Sequence, residues 1–326
     1  MDPFTHALGG YAIARAVPRS PLPRAWLWRL TLLAMAPDAD YVLRLISDAA
    51  YLHYHRGVTH SILMLPLWAW LALSLFPRRR ETYPLLPWLI GAVILCHIVF
   101  DLITSFGTMI FAPISDARIA WDLVFIIDPL FSSMLAIPLL LGLWLRRYQR
   151  ALAACALIAM GLYLSLTSYN HQRALDITRA RFPEASAVNA LPLPFSPFHW
   201  HLIASFPGHY MQAAVNLLPG FSGSGAFFTP SFTQRFLAPM RAYKRPEWAR
   251  RTAMAEMPGV EDLEEMKFFR WFARFPAVMQ QDERRMEIGD MRFGAGLWRP
   301  YPFSLHIERE PEPSAQLKWN VSKPPS

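Results

Sequence analysis

The chain has 326 residues, of which 53% are hydrophobic and only 17% are charged. That balance is unusual for a soluble globular protein. The formal net charge is +8, but no dense basic helix or aromatic RNA-binding signature accompanies it, so we expect no nucleic-acid partner. The two cysteines, Cys96 and Cys155, lie inside apolar runs, which argues against a disulfide framework or a zinc finger.

Apolar runs organise the first half of the chain. Two short runs, 4–17 and 25–36, are predicted to form a helical hairpin that enters a membrane partway. Four longer runs are long and apolar enough to cross a bilayer, which needs a helix of about 20 residues. These predicted spans cover 58–76, 84–104, 123–145 and 151–169. The pattern predicts an α-helical membrane domain over residues 1–170.

The arginines set the predicted orientation of these spans. They cluster at 78–80 and within 146–150, between consecutive spans, and the positive-inside rule places such connections in the cytoplasm. Nearly all acidic residues of the first 170 positions then lie at or near the opposite face, together with five histidines. This topology predicts a group of carboxylates and imidazoles at the outer face of the membrane.

Residues 171–326 have a different character, with frequent prolines, short apolar runs and mixed charge. Two predicted β-hairpins run over 198–215, with a turn at Pro207-Gly208, and over 277–292. Apolar residues at helical spacing over 260–272 predict one helix. We therefore expect a small, mainly antiparallel α+β domain, which lies outside the cytoplasm because the fourth span ends there.

Candidate metal ligands come from four separate segments that this topology brings to one face. Mixed imidazole and carboxylate ligands suit Zn²⁺, with Mn²⁺ and Fe²⁺ as alternatives. The number of candidates exceeds one tetrahedral site and also suits two ions that share a bridging aspartate. Taken singly, each residue has a plainer explanation as a helix cap, a loop acid or a buried polar partner. The candidates are His6, Asp38, Asp40, His55, His60, His97 and Asp101.

Other residues near these ligands suggest further roles. Arg56 cannot coordinate a cation, but a guanidinium binds a phosphate through two hydrogen bonds; the alternative is an arginine that anchors the chain at the membrane interface. Asp40 or Asp101 would ligate or orient an attacking water, and these two and Arg56 are the predicted catalytic residues. Asp2 and Asp128 are candidates for orienting a ligand histidine.

Several motifs stand in a fixed order: "MDPFTHALGG", "APDADY", "HRGVTHS", "HIVFD" and "IIDP". Their order and spacing over 2–6, 37–40, 55–61 and 97–101 resemble the YdjM-type inner-membrane metal-dependent hydrolases. The segments "PFSPFHWHLIA", "FFRWFARFP" and "IGDMRFG" are similar to that family's outer-domain strands. The resemblance implies a multi-pass protein of the bacterial inner membrane. It also implies metal-dependent hydrolysis, since the His/Asp pattern is similar to that of zinc-dependent phospholipases C.

Two classes of function fit these observations. The first is a membrane-bound hydrolase that uses metal-activated water to cleave a phosphoester of a lipid or lipid-linked substrate at the outer face, with ester or amide bonds as alternative targets. The second is a non-catalytic membrane protein that binds or transports a metal ion or a substrate. Transporters usually carry midplane sites and often internal repeats. Neither is evident here, which favours the enzyme and leaves the oligomeric state open.

Overall fold

The computed structural model describes residues 1–18, 20–76, 83–218, 246–254, 263–282, 285–294, 303–309 and 319–322. The chain divides into two compact units: Met1–Tyr169 with Pro192–Pro197, and Asn170–Leu191 with Phe198–Ser326. A helical N-terminal region and a C-terminal antiparallel sheet region are confirmed. The assignment of 1–170 and 171–326 to two independently folding domains stays a prediction.

The first unit is built from α-helices joined by short connections. They are α1 Pro3–Ala16, α2 Arg24–Leu33, α3 Asp48–Tyr54, α4 Leu65–Ala72, α5 Leu86–Leu102, α6 Pro129–Trp144 and α7 Gln149–Arg181, which continues beyond the unit. Two 3₁₀ segments, Ala36–Leu45 and Val58–His60, carry motif residues between the helices.

Helix α5 is the central helix of this unit, and much of its surface is buried. Helix α1 packs closely against both α2 and α5 because it carries glycines where the helices meet. A Cβ atom on Gly10 would lie 2.3 Å from the Cβ of Ala34, just after α2, and one on Gly9 would lie 2.7 Å from the Phe100 ring of α5. The "GG" pair therefore brings the N-terminal half of α1 against the C-terminal half of α5.

Two aspartates begin helices in this unit. Asp2 caps α1 and accepts a hydrogen bond from the Thr5 amide at 3.0 Å. Asp128 caps α6, where it accepts bonds from the amides of Leu130 and Phe131 at 2.9 and 3.2 Å. Each is followed by proline at the first helical position, which is favourable because that residue needs no amide donor.

The described helices provide one or two membrane crossings by length and composition, against the four predicted. The helix over Arg146–Arg181 is long and apolar enough to cross a bilayer. The predicted span over 58–76 is not one straight helix, because Ala50–His60 and Leu65–Leu75 meet at a 78° bend; counted as one span, this pair gives a second crossing. Helices α5 and α6 are apolar but have only 17 and 16 residues. Four crossings therefore stay a prediction.

The C-terminal region contains two four-stranded sheets in the part that the structure describes, with orders β1-β2-β3-β4 and β5-β6-β7-β8. The strands are β1 Ala187–Pro192, β2 His199–Phe206, β3 His209–Asn216, β4 Ala249–Thr252, β5 Pro276–Gln281, β6 Arg285–Asp290, β7 Ser304–Arg309 and β8 Trp319–Ser322. Both predicted hairpins are confirmed, since β2 pairs antiparallel with β3 and β5 with β6. Gly208 makes the first turn possible with a φ of +74°.

A helix accompanies the second sheet. The predicted helix over 260–272 is present as α8 Glu264–Phe272, while 260–262 lie outside the described residues. Its buried face includes Met266 and Phe269, which pack in one cluster with Ile288 and Leu305 of the second sheet. A short helix, α9 Met291–Gly294, follows β6.

His201 belongs to the core of the first sheet rather than to its surface. Its Nε2 lies 3.0 Å from the Gln212 side-chain oxygen on the neighbouring strand. Burial lowers the pKa of His201 to about 4, so the imidazole is neutral at physiological pH and forms part of the packed core.

Candidate metal centre

The close packing of α1 against α5 brings three predicted ligands together. His97 and Asp101 lie four residues apart and share one face of α5. The His6 ring of α1 stacks on the His97 ring, with centroids 3.7 Å apart. His6 Nε2 lies 3.3 Å from Asp101 Oδ1. All three side chains are buried, so residues separated by 90 positions form one compact polar group inside an apolar helix cluster.

Asp38 and His60, from the two 3₁₀ segments, join His97 and Asp101 in a group of four ligand atoms. His60 Nε2 lies 3.0 Å from Asp101 Oδ2 and 3.4 Å from Asp38 Oδ1. His97 Nε2 lies 3.5 Å from Asp101 Oδ2 and 3.6 Å from Asp38 Oδ1. Ligands at the usual Zn–N and Zn–O distances of about 2.0–2.1 Å form a tetrahedron with edges of about 3.3 Å. The spacing of the four atoms therefore suits a single small divalent cation.

The hydrogen bonds behind the two histidines fix which ring nitrogen faces the group. His97 Nδ1 lies 2.6 Å from the Ala34 carbonyl, which can only accept. His60 Nδ1 lies 2.9 Å from Thr59 Oγ1, whose own proton is donated to Asp40 Oδ2 at 3.0 Å. Both Nδ1 atoms therefore carry the proton, and both Nε2 lone pairs point inward.

Those two inward nitrogens lie only 3.0 Å apart. Two lone pairs at this distance repel each other unless a proton or a metal cation lies between them. An imidazole that donates one nitrogen to a carbonyl and offers the other to a metal is the usual arrangement in metalloproteins. The donor set and its orientation thus fit a divalent ion held by Asp38, His60, His97 and Asp101.

Unpartnered polar atoms mark the same place. Within the described residues, His6 Nδ1, His6 Nε2 and Asp101 Oδ2 are buried without a hydrogen-bond partner. The Met1 amino group contacts Asp101 Oδ1. Buried polar atoms without partners are costly, and a cation bound by His60, His97 and Asp101 would satisfy the Asp101 oxygen directly.

Asp40 and His55 form a second group with Asp38, in which three ligand atoms also lie within metal-binding distance of one another. Here, however, the side chains already satisfy one another. Asp40 Oδ1 lies 2.8 Å from His55 Nδ1, and Asp40 Oδ2 accepts from the Arg56 amide and from the Thr59 hydroxyl. The structure therefore gives Asp40 the contacts of a residue that orients the loop, and a second ion shared through Asp38 stays a prediction.

Arg56 lies beside this centre and is almost fully buried. Its Nη2 lies 2.9 Å from Asp101 Oδ1, and its Nη1 donates to Thr104 Oγ1 at 3.0 Å. The guanidinium also stacks 4.8 Å from the centre of the Phe106 ring. The sequence suggested a guanidinium open to a phosphate, whereas in the structure the two terminal nitrogens of Arg56 are engaged by Asp101 and Thr104.

The loop that carries Arg56 has a demanding backbone. Arg56 itself has a positive φ of 61°, and a Cβ on the next residue, Gly57, would lie 2.7 Å from the Tyr54 carbonyl oxygen. The Met109 amide, from a different segment of the chain, donates to the Arg56 carbonyl at 2.8 Å and stabilises the turn. The backbone conformation of this loop therefore helps to explain the "HRG" part of the motif, in addition to the chemistry of its side chains.

Sequence reasoning missed several residues that hold the site in shape. The sequence offered a weak signal for two of them, because Thr59 lies inside "HRGVTHS" and Thr104 follows Asp101 at helical spacing. The others are recognised only from contacts between distant parts of the chain. The missed residues are Ala34, Thr59, Thr104, Phe106 and Arg118, which donates to the carbonyls of Leu52 and Gly107.

The two aspartates predicted to orient ligand histidines have other partners in the structure. Asp2 Oδ2 accepts from Thr5 Oγ1 at 2.6 Å, in addition to its capping bond. Asp128 Oδ2 accepts from the Tyr163 hydroxyl at 2.7 Å. These contacts explain Asp2 as the cap of its own helix and Asp128 as a cap that is also joined to α7, and an orienting role at the metal centre stays a prediction.

Comparison with known proteins supports the motif-based expectation. The family model described as YdjM inner membrane protein matches residues 1–174, which is more than half of the chain. The chain is also 36% identical over 147 residues to the uncharacterized protein YfhP of Bacillus subtilis (strain 168), a match that covers 42% of this chain and 45% of that protein. The chain thus aligns with less than half the length of this relative, and no solved structure matches. On the family match, which includes every residue of the candidate centre, the chain belongs to the YdjM inner membrane protein family.

Proposed function

We propose that this protein is a membrane-bound, metal-dependent hydrolase that cleaves a phosphoester of a lipid or lipid-linked substrate at the outer face of the inner membrane. The observation that carries the proposal is the group of four inward-facing ligand atoms from Asp38, His60, His97 and Asp101. The Nε2 atoms of the two histidines lie 3.0–3.6 Å from the oxygens of the two aspartates. Because this centre belongs to a helical unit of an inner membrane protein family, a substrate at the bilayer surface is favoured over a substrate in open solution.

A bound divalent ion would supply Lewis-acid polarisation of the phosphate and activation of water at neutral pH. Zn²⁺ suits two imidazoles and two carboxylates best, and Mn²⁺ or Fe²⁺ are alternatives. His6 lies against this group, with its Nε2 3.3 Å from Asp101 Oδ1 and its ring stacked on His97, and its role as a further ligand stays a prediction.

The protein side chains have distinct roles in the proposed reaction. Asp38 is the ligand at the open edge, because its side chain stays 20% exposed whereas His60, His97 and Asp101 are fully buried. Substrate would therefore approach from the Asp38 side. A water oxygen attacks phosphorus and gives one proton to Asp38 Oδ2, the oxygen outside the ligand group. The phosphorus–oxygen ester bond breaks, and the leaving alkoxide takes that proton from Asp38 to become an alcohol. Arg56 neutralises Asp101 and balances charge near the phosphate.

Turnover of defined substrates tests this proposal. Full-length protein in lipid nanodiscs would be stripped with a chelator, reloaded with Zn²⁺ or Mn²⁺, and offered a phospholipid panel and nitrophenyl phosphoesters. We expect phosphoester cleavage that disappears with the chelator, returns with metal and is lost in Asp101→Ala but not in the exposed control Asp176→Ala. Cleavage that persists after chelation or in Asp101→Ala would refute a metal-dependent mechanism, and bound metal without any turnover would favour the binding or transport function.

The orientation of the centre is also a proposal, and the distribution of arginines supports it. At the C-terminal end of α1, Arg15 contacts Gln149, and Arg150 donates to the Ala16 carbonyl at 3.1 Å. His6 lies ten residues earlier on α1, or about 15 Å along the helix axis at 1.5 Å per residue. The arginine-rich end and the candidate metal centre are therefore at opposite ends of this helix, as expected for a centre on the non-cytoplasmic side.

Cysteine labelling at the two ends of α7 checks this orientation. In a background with Cys96→Ala and Cys155→Ala, the exposed positions Arg147 and Glu184 would each receive a cysteine. In intact cells we expect an impermeant maleimide to label Glu184→Cys and to label Arg147→Cys only after permeabilisation. The reverse pattern would place the C-terminal region in the cytoplasm.

A further inference from the structure

A cavity of about 310 Å³ lies beside the candidate metal centre in the helical unit. Its wall is formed by residues next to those of the centre in the chain. Pro37 directly precedes Asp38, and Ile94 lies one helical turn before His97 on α5. Thr59 lines the cavity as well, and its hydroxyl contacts His60 Nδ1. The cavity therefore adjoins the segments that carry the ligands.

The chemistry of the wall selects an apolar occupant. Among the described residues, no charged side chain lines the cavity, and its lining residues are mostly aliphatic. The two polar groups on the wall are already satisfied, because Thr59 donates to Asp40 and Trp68 Nε1 donates to the Val58 carbonyl at 3.2 Å. A polar ligand would find no hydrogen-bond partner among these side chains, whereas a hydrocarbon chain needs none.

The cavity is continuous with the apolar outer surface of the helical unit. Leu71 and Leu75 line it and are 45% and 54% exposed. Trp70, on the same helix, is 67% exposed. Exposed aliphatic and aromatic side chains at this density face lipid in a membrane protein. An occupant can therefore enter sideways from the bilayer.

We propose that this cavity binds one hydrocarbon chain of the substrate, so that the substrate is a membrane lipid whose phosphoester reaches the centre while its chain stays in the apolar site. The inference rests on the proposed function, since it identifies the substrate class of the same centre. The cavity volume of about 310 Å³ is at the low end of the range of about 300–1,000 Å³ for small-molecule sites. It suits a segment of one hydrocarbon chain rather than a whole diacyl tail.

Photo-crosslinking tests the chain site without requiring turnover. The probe is phosphatidylglycerol with a diazirine at the end of one acyl chain, diluted in phosphatidylcholine vesicles that contain the full-length protein. Two variants narrow the cavity, Leu71→Trp and the smaller change Ala72→Leu. Leu140→Trp on α6, where the leucine is 61% exposed, is the matched control, and metal content verifies that every variant is folded at the centre.

In the wild type we expect crosslinks to residues of α4 and to the segment around Ile94. Both narrowing variants should lose about tenfold in crosslinking, the effect of excluding roughly two methylene groups from an apolar site, while Leu140→Trp should match the wild type. Crosslinks that map elsewhere in the wild type, or equal crosslinking in narrowed and control proteins, would overturn the chain site.

The same samples separate this inference from the proposed function. Turnover of the lipid compared with a water-soluble short-chain analogue is the second readout, and the narrowing variants should lose activity on the lipid alone. Cavity crosslinks with no turnover of either substrate would overturn the hydrolase and leave a lipid-binding site. Metal-dependent turnover with crosslinks outside the cavity would overturn the chain site and leave the hydrolase.

Discussion

Asp101→Ala is expected to lower the affinity of the protein for a divalent cation by more than about a hundredfold, since loss of a residue that merely orients a ligand already costs about 10–100-fold. Asp101 is fully buried, and its Oδ2 lies 3.0 Å from His60 Nε2 without a hydrogen-bond partner of its own. This oxygen lies between the His60 and His97 rings, 3.0 and 3.5 Å from their Nε2 atoms, where a ligand to a bound cation would lie.

Metal content by mass spectrometry and titration of stripped protein with Zn²⁺ provide the measurement. His97→Ala should behave like Asp101→Ala, because it removes a second ligand from the same face of α5. Asp176→Ala and His209→Ala are the matched controls, since both residues lie outside the centre, and they should retain wild-type metal content. If Asp101→Ala and His97→Ala are inserted in the membrane and still retain full metal, the pair on α5 is a structural contact and the candidate centre is wrong.

The ligand group was predictable from the sequence to the extent that it depends on local spacing. The four-residue separation of His97 and Asp101 places both on one helix face whatever the rest of the fold does. The acid and histidine motifs of the other segments indicated the ligand type in the same way. The close approach of α1, which sets His6 on His97, depends on glycines whose role is evident only once Ala34 and Phe100 are in place.

The supporting hydrogen bonds were beyond prediction, because they join parts of the chain with no shared periodicity. The Ala34 carbonyl fixes the His97 tautomer across 63 positions. Thr59 contacts both Asp40 and His60 and thereby orients one ligand from another segment. A side chain of this type has no sequence signature that distinguishes it from an ordinary loop threonine.

The predicted span over 58–76 differs from the structure for a related reason. Hydropathy is an average over side chains and contains no information about where a helix bends. The direction of the chain here is set by backbone hydrogen bonds. The Ile62 amide donates to the Ile110 carbonyl at 3.0 Å, and Ser61 Oγ donates to the same carbonyl at 3.1 Å. These bonds replace helical ones at the bend, so residues elsewhere in the chain satisfy the backbone groups that leave the helix.

Arg56 shows how contacts in the fold can add to a role that the sequence suggests. Its chemistry favoured a phosphate, and its motif placed it beside a ligand histidine. The structure adds that its guanidinium compensates the buried charge of Asp101 at 2.9 Å. A cation bound at the centre would offer Asp101 a second source of compensation, so the importance of Arg56 for stability depends on whether metal is present.

Arg56→Ala is therefore expected to keep metal content near that of the wild type, to lower the thermal stability of the stripped protein, and to reduce turnover of an anionic substrate. Arginine is not a ligand, and bound metal neutralises Asp101 in its place. The bond that is lost joins Arg56 to Asp101, and it leaves less positive charge near the phosphate in the transition state. If this change costs the transition state about 1.5–3 kcal/mol, the value of a charge-assisted hydrogen bond, catalytic efficiency falls roughly ten- to hundredfold at about 1.36 kcal/mol per decade.

Three measurements on the same samples separate the roles of Arg56: metal content, melting temperature with and without chelator, and kcat against KM for whichever phosphoester is cleaved. Arg56→Lys should recover part of each loss, because lysine keeps the charge but not the planar fork that reaches Asp101 and Thr104 together. Arg44→Ala, at a largely exposed arginine, is the control. Loss of metal in Arg56→Ala would make the residue essential for positioning Asp101, whereas wild-type kinetics and stability would leave it only a packing role against Phe106.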